Sequence, residues 1–289
     1  MNNQSVFSII IPHKNIPDLL QRCLDSIPRR DDIQIIVVDD NSDPAIVDFE
    51  NFPGRKDPLV EVYFTKKGKG AGYARNIGLN HAVGKWVLFA DADDVFLDNI
   101  GDYLERCRNV ECEVIIFNYV SKRLNGELRY PESINTDNPK IVFPQKCFPW
   151  CKIIKKALLD KYEIRFQEVQ WSNDLMFSVK LAKYVNVVSV DKERAYMQIE
   201  RYGSLCKKVS WQSLCCRTRI ALKAYHFMKG YPESKCLKSL YMIYWKDLFH
   251  INKICASLMI PRILFVIGLK DAYNDILQRL RIDYPKYFK

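Results

Sequence analysis

Short apolar runs alternate with helical patterns along the first 120 residues of the chain. Strands are predicted at residues 7–11, 33–38, 59–64, 86–90 and 114–117. Apolar residues at helical spacing follow the first, third and fourth strands, at about 17–27, 71–81 and 96–107. Strands with few polar residues, most of them separated by helices, are typical of a parallel sheet covered on both faces. We therefore expect an α/β fold with a mainly parallel sheet flanked by helices.

Polar residues cluster where each of the first four predicted strands ends. Ligands bind outside the carboxyl ends of the strands in sheets of this kind. Turn formation alone does not explain polar residues of complementary chemistry at four strand ends. We therefore predict a binding site at this edge of the sheet. In chain order, the clusters are His13, Lys14 and Asn15, then Asp39 and Asp40, then the glycine-rich basic turn 66–72, then Asp91, Asp93 and Asp94.

The chemistry of these clusters indicates a phosphorylated ligand and a metal ion. Carboxylates crowded at Asp91 and Asp93 repel one another unless a cation neutralises them, and oxygen ligands suit Mg²⁺ or Mn²⁺, which often complete their shell with substrate phosphates. Glycines around Lys69 let the backbone approach a ligand, and Arg75 offers a cation to a diphosphate. In the competing interpretation, the aspartates cap the next helix and the glycines form a surface turn.

Four motifs, taken in order and spacing, resemble the family 2 glycosyltransferases of the GT-A fold. They read SIIIP at 8–12, IVVDDNS at 36–42, GAGYARNIG at 70–78 and FADADD at 89–94. The resemblance implies an inverting transferase that uses a nucleotide-diphosphate sugar, with a UDP-sugar favoured, and a D-x-D metal motif at Asp91 and Asp93 for Mn²⁺ or Mg²⁺. The donor-binding residues that it implies are Pro12, Asn15, Asp39, Asp40, Gly70, Arg75, Asp91 and Ala92.

An inverting displacement also needs a base that takes the proton from the acceptor hydroxyl. Asp174, at the start of a predicted helix, resembles the Asp of the family's Glu-Asp pair, which is the usual base. Asn173 stands where an acidic residue is common, and Glu168 is the alternative base. A structural interpretation of Asp174, as an acid at the positive end of a helix dipole, stays open.

Two further segments resemble parts of the family's acceptor side. We predict that Trp150, Lys152 and Asn173 bind the acceptor, with a core position for Trp150 as the alternative. Residues 200–204 resemble a basic Gly-Ser loop that closes over the diphosphate. No Gln-x-x-Arg-Trp signature of processive synthases is present, which favours one sugar per binding event.

Length and pattern predict two domains in this chain of 289 residues. We expect a catalytic domain at 1–205, with a nucleotide-sugar half (1–120) and an acceptor half (121–205), and a helical region at 206–289. The most apolar part, 254–269, is broken by Pro261 and Arg262 and is too short for a membrane span. It either docks on the catalytic domain or lies on an anionic bilayer that carries lipid-linked acceptors.

Net charge and cysteine content limit the classes of ligand and metal that we expect this protein to bind. The 44 Lys and Arg outnumber the 34 Asp and Glu, and a net charge of +10 attracts nucleotide sugars, polyanions or anionic membranes. We expect no nucleic-acid partner. The ten cysteines lack paired metal-ligand spacing, so we expect reduced thiols and no zinc site. The N-terminus lacks the pattern of a secretory signal, which predicts a cytoplasmic protein that is alternatively peripheral on the cytoplasmic membrane face.

Three other functions compete with glycosyl transfer. A sugar-phosphate nucleotidyltransferase would carry its glycine-rich loop after the first strand, where this chain has Pro12 and His13. A haloacid-type phosphatase expects Thr or Val soon after its second Asp, and Asp94, Val95 and Phe96 fit that pattern poorly. A non-catalytic nucleotide- or glycan-binding module would not need Asp174. We predict a metal-dependent, inverting, non-processive glycosyltransferase of surface polysaccharide or glycolipid assembly.

Overall fold

A computed structural model describes residues 5–132, 138–203 and 209–268 of the chain. The chain divides into two compact units, Met1–Lys207 and Lys208–Lys289. The first unit carries all the motifs above, and the second is helical. The finer division of the first unit into a donor half and an acceptor half stays a prediction.

Four parallel strands form the first part of the sheet, in the order β3-β2-β1-β4. Every residue of β1, β2 and β4 is buried, because helices cover both faces, which explains their unbroken apolar runs. The elements are β1 (Phe7–His13), α1 (Pro17–Asp25), β2 (Ile33–Asp39), β3 (Val60–Phe64), α2 (Ala71–His81) and β4 (Trp86–Phe89).

The second part of the sheet is mixed and continues the order as β4-β8-β6-β9-β5. β8 is antiparallel to both β4 and β6, whereas β9 is parallel to β6. The elements are β5 (Val95–Phe96), α3 (Ile100–Cys107), β6 (Val114–Lys122), β7 (Leu128–Arg129), α4 (Val142–Gln145), β8 (Lys152–Lys155), α5 (Lys156–Lys161), α6 (Leu175–Tyr184) and β9 (Val188–Ile199). The predicted α/β fold with a largely parallel sheet and flanking helices is confirmed.

The helix predicted from residue 96 starts later than expected. It begins at Ile100, because Val95 and Phe96 form a short strand that pairs antiparallel with β9. Phe96 is buried, and its ring lies edge-on to Tyr196 at 5.3 Å between centroids. Apolar spacing fits either backbone here, and the long-range pairing with β9 decides between them.

The second unit consists of α7 (Trp211–Met228), α8 (Ser234–Ile251), α9 (Lys253–Leu258) and α10 (Ile260–Ile267). Ser210 and Ser213 form a reciprocal capping box at the start of α7, which satisfies two otherwise unpaired N–H groups. The predicted C-terminal helices are therefore present. Among the described residues, no helix combines the length and the apolar character that crossing a bilayer requires.

Candidate donor and transfer site

His13 and Asp39 join the ends of β1 and β2 through a buried hydrogen bond of 2.8 Å between His13 Nδ1 and Asp39 Oδ1. The Ile16 N–H donates to His13 Nε2, so Nδ1 carries the proton that is donated to Asp39. Burial raises the pKa of Asp39, but hydrogen bonds from His13 and from the Ser42 hydroxyl and N–H outweigh it, and the net pKa is lowered. Asp39 thus links the ends of β1 and β2 through buried hydrogen bonds.

Asp40 holds the glycine-rich turn. Its two carboxylate oxygens accept the N–H groups of Lys69 (3.0 Å) and Gly70 (2.7 Å), and Lys14 Nζ donates to its backbone carbonyl at 2.9 Å. Burial raises the pKa of this carboxyl, and the donated N–H groups and the Lys14 charge oppose that rise. Gly70 has φ +97°, a conformation that favours glycine, directly before α2. Asp40 and Gly70 together set where α2 begins.

Helix α2 packs directly onto the segment that carries the predicted base. A Cβ on Gly72 would lie 2.3 Å from the Gln167 carbonyl oxygen, so no larger residue fits there without a backbone shift. One turn further along, buried Arg75 donates from Nη1 to Asn173 Oδ1 (3.0 Å) and from Nη2 to Asp91 Oδ1 (2.5 Å). Arg75 therefore connects the D-x-D motif to the Asn173 region.

Three carboxylates after β4 lie close together, and an oxygen from each of Asp91, Asp93 and Asp94 falls within 4.8 Å of the others. Asp94 is buried, and its two oxygens accept from Tyr196 Oη (2.9 Å) and from the Ile199 N–H (2.7 Å). Burial, with the charges of Asp91 and Asp93 next, raises the pKa of Asp94 well above its ordinary value. Asp94 therefore fastens the motif to β9.

Asp91 and Asp93 fit a divalent cation. Arg75 donates a hydrogen bond to one carboxylate oxygen of Asp91, and Arg201 Nε donates to one carboxylate oxygen of Asp93. Within the described part of the chain, the second oxygen of each aspartate accepts no hydrogen bond. Burial raises the pKa of Asp91, Arg75 opposes that rise, and the Asp93 charge adds to it. Two adjacent carboxylates with one available oxygen each suit Mg²⁺ or Mn²⁺, which prefer oxygen ligands.

Tyr196 is a contributor to this site that sequence reasoning missed. Its hydroxyl accepts the Asp91 N–H at 3.0 Å and donates to Asp94, so it clamps both ends of the aspartate turn. The ring is fully buried and stacks on Trp150 at 5.3 Å and 15°. Tyr196 lies 105 residues from Asp91 in sequence, and no motif spacing marks it. A tyrosine among the charged residues of β9 is the only signal in the sequence.

Asp174 directly precedes α6 and lies half-buried. Its side chain makes no capping hydrogen bond to the described helix, and its position directly before α6 leaves the helix-dipole interpretation open. Burial raises the pKa of Asp174, and the Arg75 guanidinium nearby opposes that rise. The alternative base, Glu168, is partly exposed and forms an ion pair with Lys69 Nζ at 2.9 Å.

Trp150 and Lys152, which were predicted to contact the acceptor, are buried in the protein interior. Trp150 stacks on Phe148 with 3.6 Å between ring centroids and is 8% exposed. Lys152 is 1% exposed and donates from Nζ to the backbone carbonyls of Lys146 (3.0 Å) and Phe148 (2.5 Å). Burial lowers the pKa of Lys152 to about 8. The alternative weighed for Trp150, a core position, describes where its ring is found.

The remaining predicted donor residues border the same edge. Pro12 is buried in β1 opposite Val38. Asn15 has φ +58°, and its N–H donates to Ser42 Oγ at 2.8 Å. Ala92 is 3% exposed between the two predicted ligands. In the segment 200–204, Arg201 reaches Asp93 as described, and Ser204 lies outside the described residues.

Comparison with known proteins identifies relatives of this arrangement. The sequence model described as Glycosyl transferase family 2 matches residues 8–166. The poly(ribitol-phosphate) beta-N-acetylglucosaminyltransferase TarS of Staphylococcus aureus is 27% identical over 66% of this chain and 35% of its own length. Glycosyltransferase GlyG of Streptococcus pneumoniae is 25% identical over 71% of this chain and 75% of its own.

A crystal structure of S. aureus TarS 1–349 in complex with UDP-GlcNAc shares the fold. It superposes with a TM-score of 0.64 at 22% identity over 96% of this chain and 83% of that one. The chain spans 33% to 35% of the length of several curated relatives that it matches, TarS among them.

Proposed function

The chain belongs to glycosyl transferase family 2, and on that premise we propose that it moves one sugar from a nucleotide-diphosphate sugar to a hydroxyl of a glycan or lipid-linked saccharide, with inversion at the anomeric carbon. The observation that carries this proposal is the double contact of Arg75 with Asp91 and Asn173. It brings the predicted metal motif and the predicted base region to one place.

The donor lies along the edge formed by the ends of β1, β2 and β4. Asp40 and the turn that it holds face the nucleoside end, with Pro12, Asn15 and Gly70 beside them, and Asp39 supports them from below. Lys69 and Arg75 provide positive charge for the diphosphate. Asp91 and Asp93 would hold Mg²⁺ or Mn²⁺, and such an ion would supply positive charge for the departing diphosphate.

Asp174 is the base of the transfer. Its carboxylate takes the proton of the acceptor hydroxyl as the hydroxyl oxygen bonds to the anomeric carbon. The bond from that carbon to the diphosphate oxygen breaks on the opposite face, and its electron pair leaves with the nucleotide. Burial that raises the pKa of Asp174 supports this role, because a base works best with a pKa near the working pH.

The donor class is a UDP-sugar and the pathway is surface polysaccharide assembly. Two observations on relatives support this choice: the TarS structure that shares the fold is a complex with UDP-GlcNAc, and TarS is named for transfer to poly(ribitol-phosphate). Both concern those proteins, and the sugar and acceptor of this chain are open to direct assay.

A panel of UDP- and GDP-sugars tests the proposal with purified protein. A donor that binds only the folded state raises the melting temperature. We expect one UDP-sugar to do so, and to be cleaved to UDP in the presence of Mn²⁺ or Mg²⁺ but not with EDTA. Arg75→Gln should lose both responses, and Arg106→Gln, an exposed arginine that pairs with Glu193, is the matched control.

The outcomes separate the competing functions. Stabilisation by a sugar nucleotide without any UDP or GDP release, on any acceptor tried, would favour the non-catalytic binding module. Formation of a sugar nucleotide and pyrophosphate from a nucleoside triphosphate and a sugar phosphate would favour the nucleotidyltransferase. If no sugar nucleotide stabilised or reacted, the transferase proposal would fail.

A further inference from the structure

One face of α9 and α10 carries large apolar side chains that project into solvent. Phe265 is 83% exposed, Ile254 is 76% exposed and Leu258 is 75% exposed. They are three of the four most exposed large hydrophobic side chains in the described part of the chain. Single exposed apolar residues are ordinary, but a group of them on consecutive helices marks an interaction surface.

These three residues lie along one continuous stripe. Met259 ends α9 and begins α10 with helical backbone angles, and its carbonyl accepts the Ile263 N–H at 3.0 Å. The helical path therefore passes from one element into the next. Residues 254, 258 and 265 follow the i, i+4, i+11 spacing of a single helix face, and Arg262 lies at the edge of that face. We call Ile254, Leu258 and Phe265 the apolar stripe.

The opposite side of the same helices is packed. Ala256, Met259, Ile263 and Val266 are all buried. Since this unit already fills its own interior with those residues, the apolar stripe is a second, separate apolar face. Burial of the unit's core does not account for it.

The charged residues of α9 and α10 themselves, Lys253 and Arg262, are both positive. Lys253 and Arg262 are exposed beside it, and residues 248–268 contain no Asp or Glu. An apolar face bordered by Lys and Arg and free of acidic groups is complementary to a bilayer surface with anionic headgroups, where apolar side chains enter the acyl boundary and cations meet the lipid phosphates. α9 and α10 are too short to cross a membrane.

We infer that the apolar stripe docks on an anionic lipid bilayer, with α9 and α10 lying in the plane of the interface. Ile254, Leu258 and Phe265 enter the boundary between headgroups and acyl chains. Lys253 and Arg262 lie at the level of the phosphates. This surface lies in the second unit and does not depend on the transfer chemistry proposed above.

Vesicle flotation with the full chain tests the inference. We expect binding to vesicles of equal parts phosphatidylcholine and phosphatidylglycerol, and weaker binding to phosphatidylcholine alone. Replacing Ile254, Leu258 and Phe265 together by Ser should lower the partition coefficient at least about tenfold, because burying one large apolar side chain is already worth about that much. The matched control replaces Ile46, Val83 and Val187, three apolar side chains of the first unit that are 52–60% exposed, by Ser and should bind like the wild type.

The charged residues give a second arm. Lys253→Gln and Arg262→Gln should each weaken binding to the anionic vesicles about fivefold and leave binding to phosphatidylcholine unchanged. Sedimentation velocity separates the lipid from other occupants. If the stripe variant floated with vesicles like the wild type, the inference would be wrong. If that variant also changed the oligomeric state, a second copy of the chain would be the occupant of the stripe.

Discussion

The ends of the parallel strands and the start of antiparallel β8 differ in what they do with their polar side chains. At the parallel edge, Asp40, Asp91 and Asp93 accept hydrogen bonds from backbone N–H groups or from arginines. At β8, Lys152 turns inward to backbone carbonyls and neighbouring Trp150 joins an aromatic stack.

The difference follows from strand direction. Parallel strands bring their carboxyl ends to one edge, so residues that follow them meet whatever their separation in sequence. β8 runs antiparallel between β4 and β6, and its beginning is enclosed by its neighbours. A polar residue beside a parallel strand end is therefore a better guide to a site than one beside an inserted antiparallel strand.

The largest effect on turnover is expected at Asp174, which belongs to the predicted acceptor half and lies near Arg75. Asp174→Asn removes the proposed base and keeps the side-chain volume. The turnover rate should fall about 10² to 10⁴-fold, with donor affinity retained. Steady-state kinetics and donor titration measure the two quantities separately.

The pH profile gives an independent check on Asp174. Transfer needs the ionised carboxylate, and burial raises its pKa, so the wild-type rate should fall on acidification at a higher pH than for an ordinary carboxyl. That acid limb should vanish from the residual activity of Asp174→Asn. A variant with the wild-type rate would remove Asp174 from the mechanism.

Trp150 tests whether the side chains at the start of β8 serve packing. Trp150→Ala removes a ring stacked between Phe148 and Tyr196, and should lower the free energy of unfolding by about 3–5 kcal/mol. Denaturant titration measures this loss. Trp211→Ala, at a tryptophan that is 42% exposed, is the control and should cost much less. A stable Trp150→Ala protein with impaired acceptor affinity would instead restore the predicted acceptor contact.

Tyr196 links the two regions, and its hydroxyl should matter for metal binding. Tyr196→Phe keeps the stacked ring but removes the acceptor of the Asp91 N–H and the donor to Asp94 Oδ2, while Asp94 Oδ1 keeps its bond from the Ile199 N–H. Removal of a group that orients a metal ligand typically weakens the metal about 10- to 100-fold. The free Mn²⁺ signal in electron paramagnetic resonance measures this affinity directly. Tyr119→Phe, in the same aromatic cluster, is the control; equal Mn²⁺ affinity in both would refute the clamp.

The smallest effect is expected at Glu168. Glu168→Gln breaks an exposed ion pair with Lys69, and exposed pairs contribute about 0–1 kcal/mol. Turnover should stay within about twofold of the wild type. A loss as large as that of Asp174→Asn would make Glu168 the base and reverse the present assignment.

Much of the fold was predictable because its signals are local. The apolar runs of β1, β2 and β4 and the turn glycines before α2 each depend on a few neighbouring residues. The strand at Val95–Phe96 was not predictable, because it forms only through pairing with β9. The role of Tyr196 was not predictable for the same reason, because the two hydrogen bonds of its hydroxyl join residues about a hundred positions apart in the sequence.

By itself, the sequence determined which polar groups stand at the ends of the parallel strands, because strand order along the chain and the common direction of those strands bring them to one edge. Only the tertiary structure decided which of those groups remain available to a ligand. Asp39 and Asp94 are used by His13, Ser42, Tyr196 and Ile199, while Asp91 and Asp93 each keep one oxygen without a hydrogen bond from the described residues. Hydrogen-bond partners distant in the chain make that choice, since a buried carboxylate must be satisfied by whatever donors the packing brings to it.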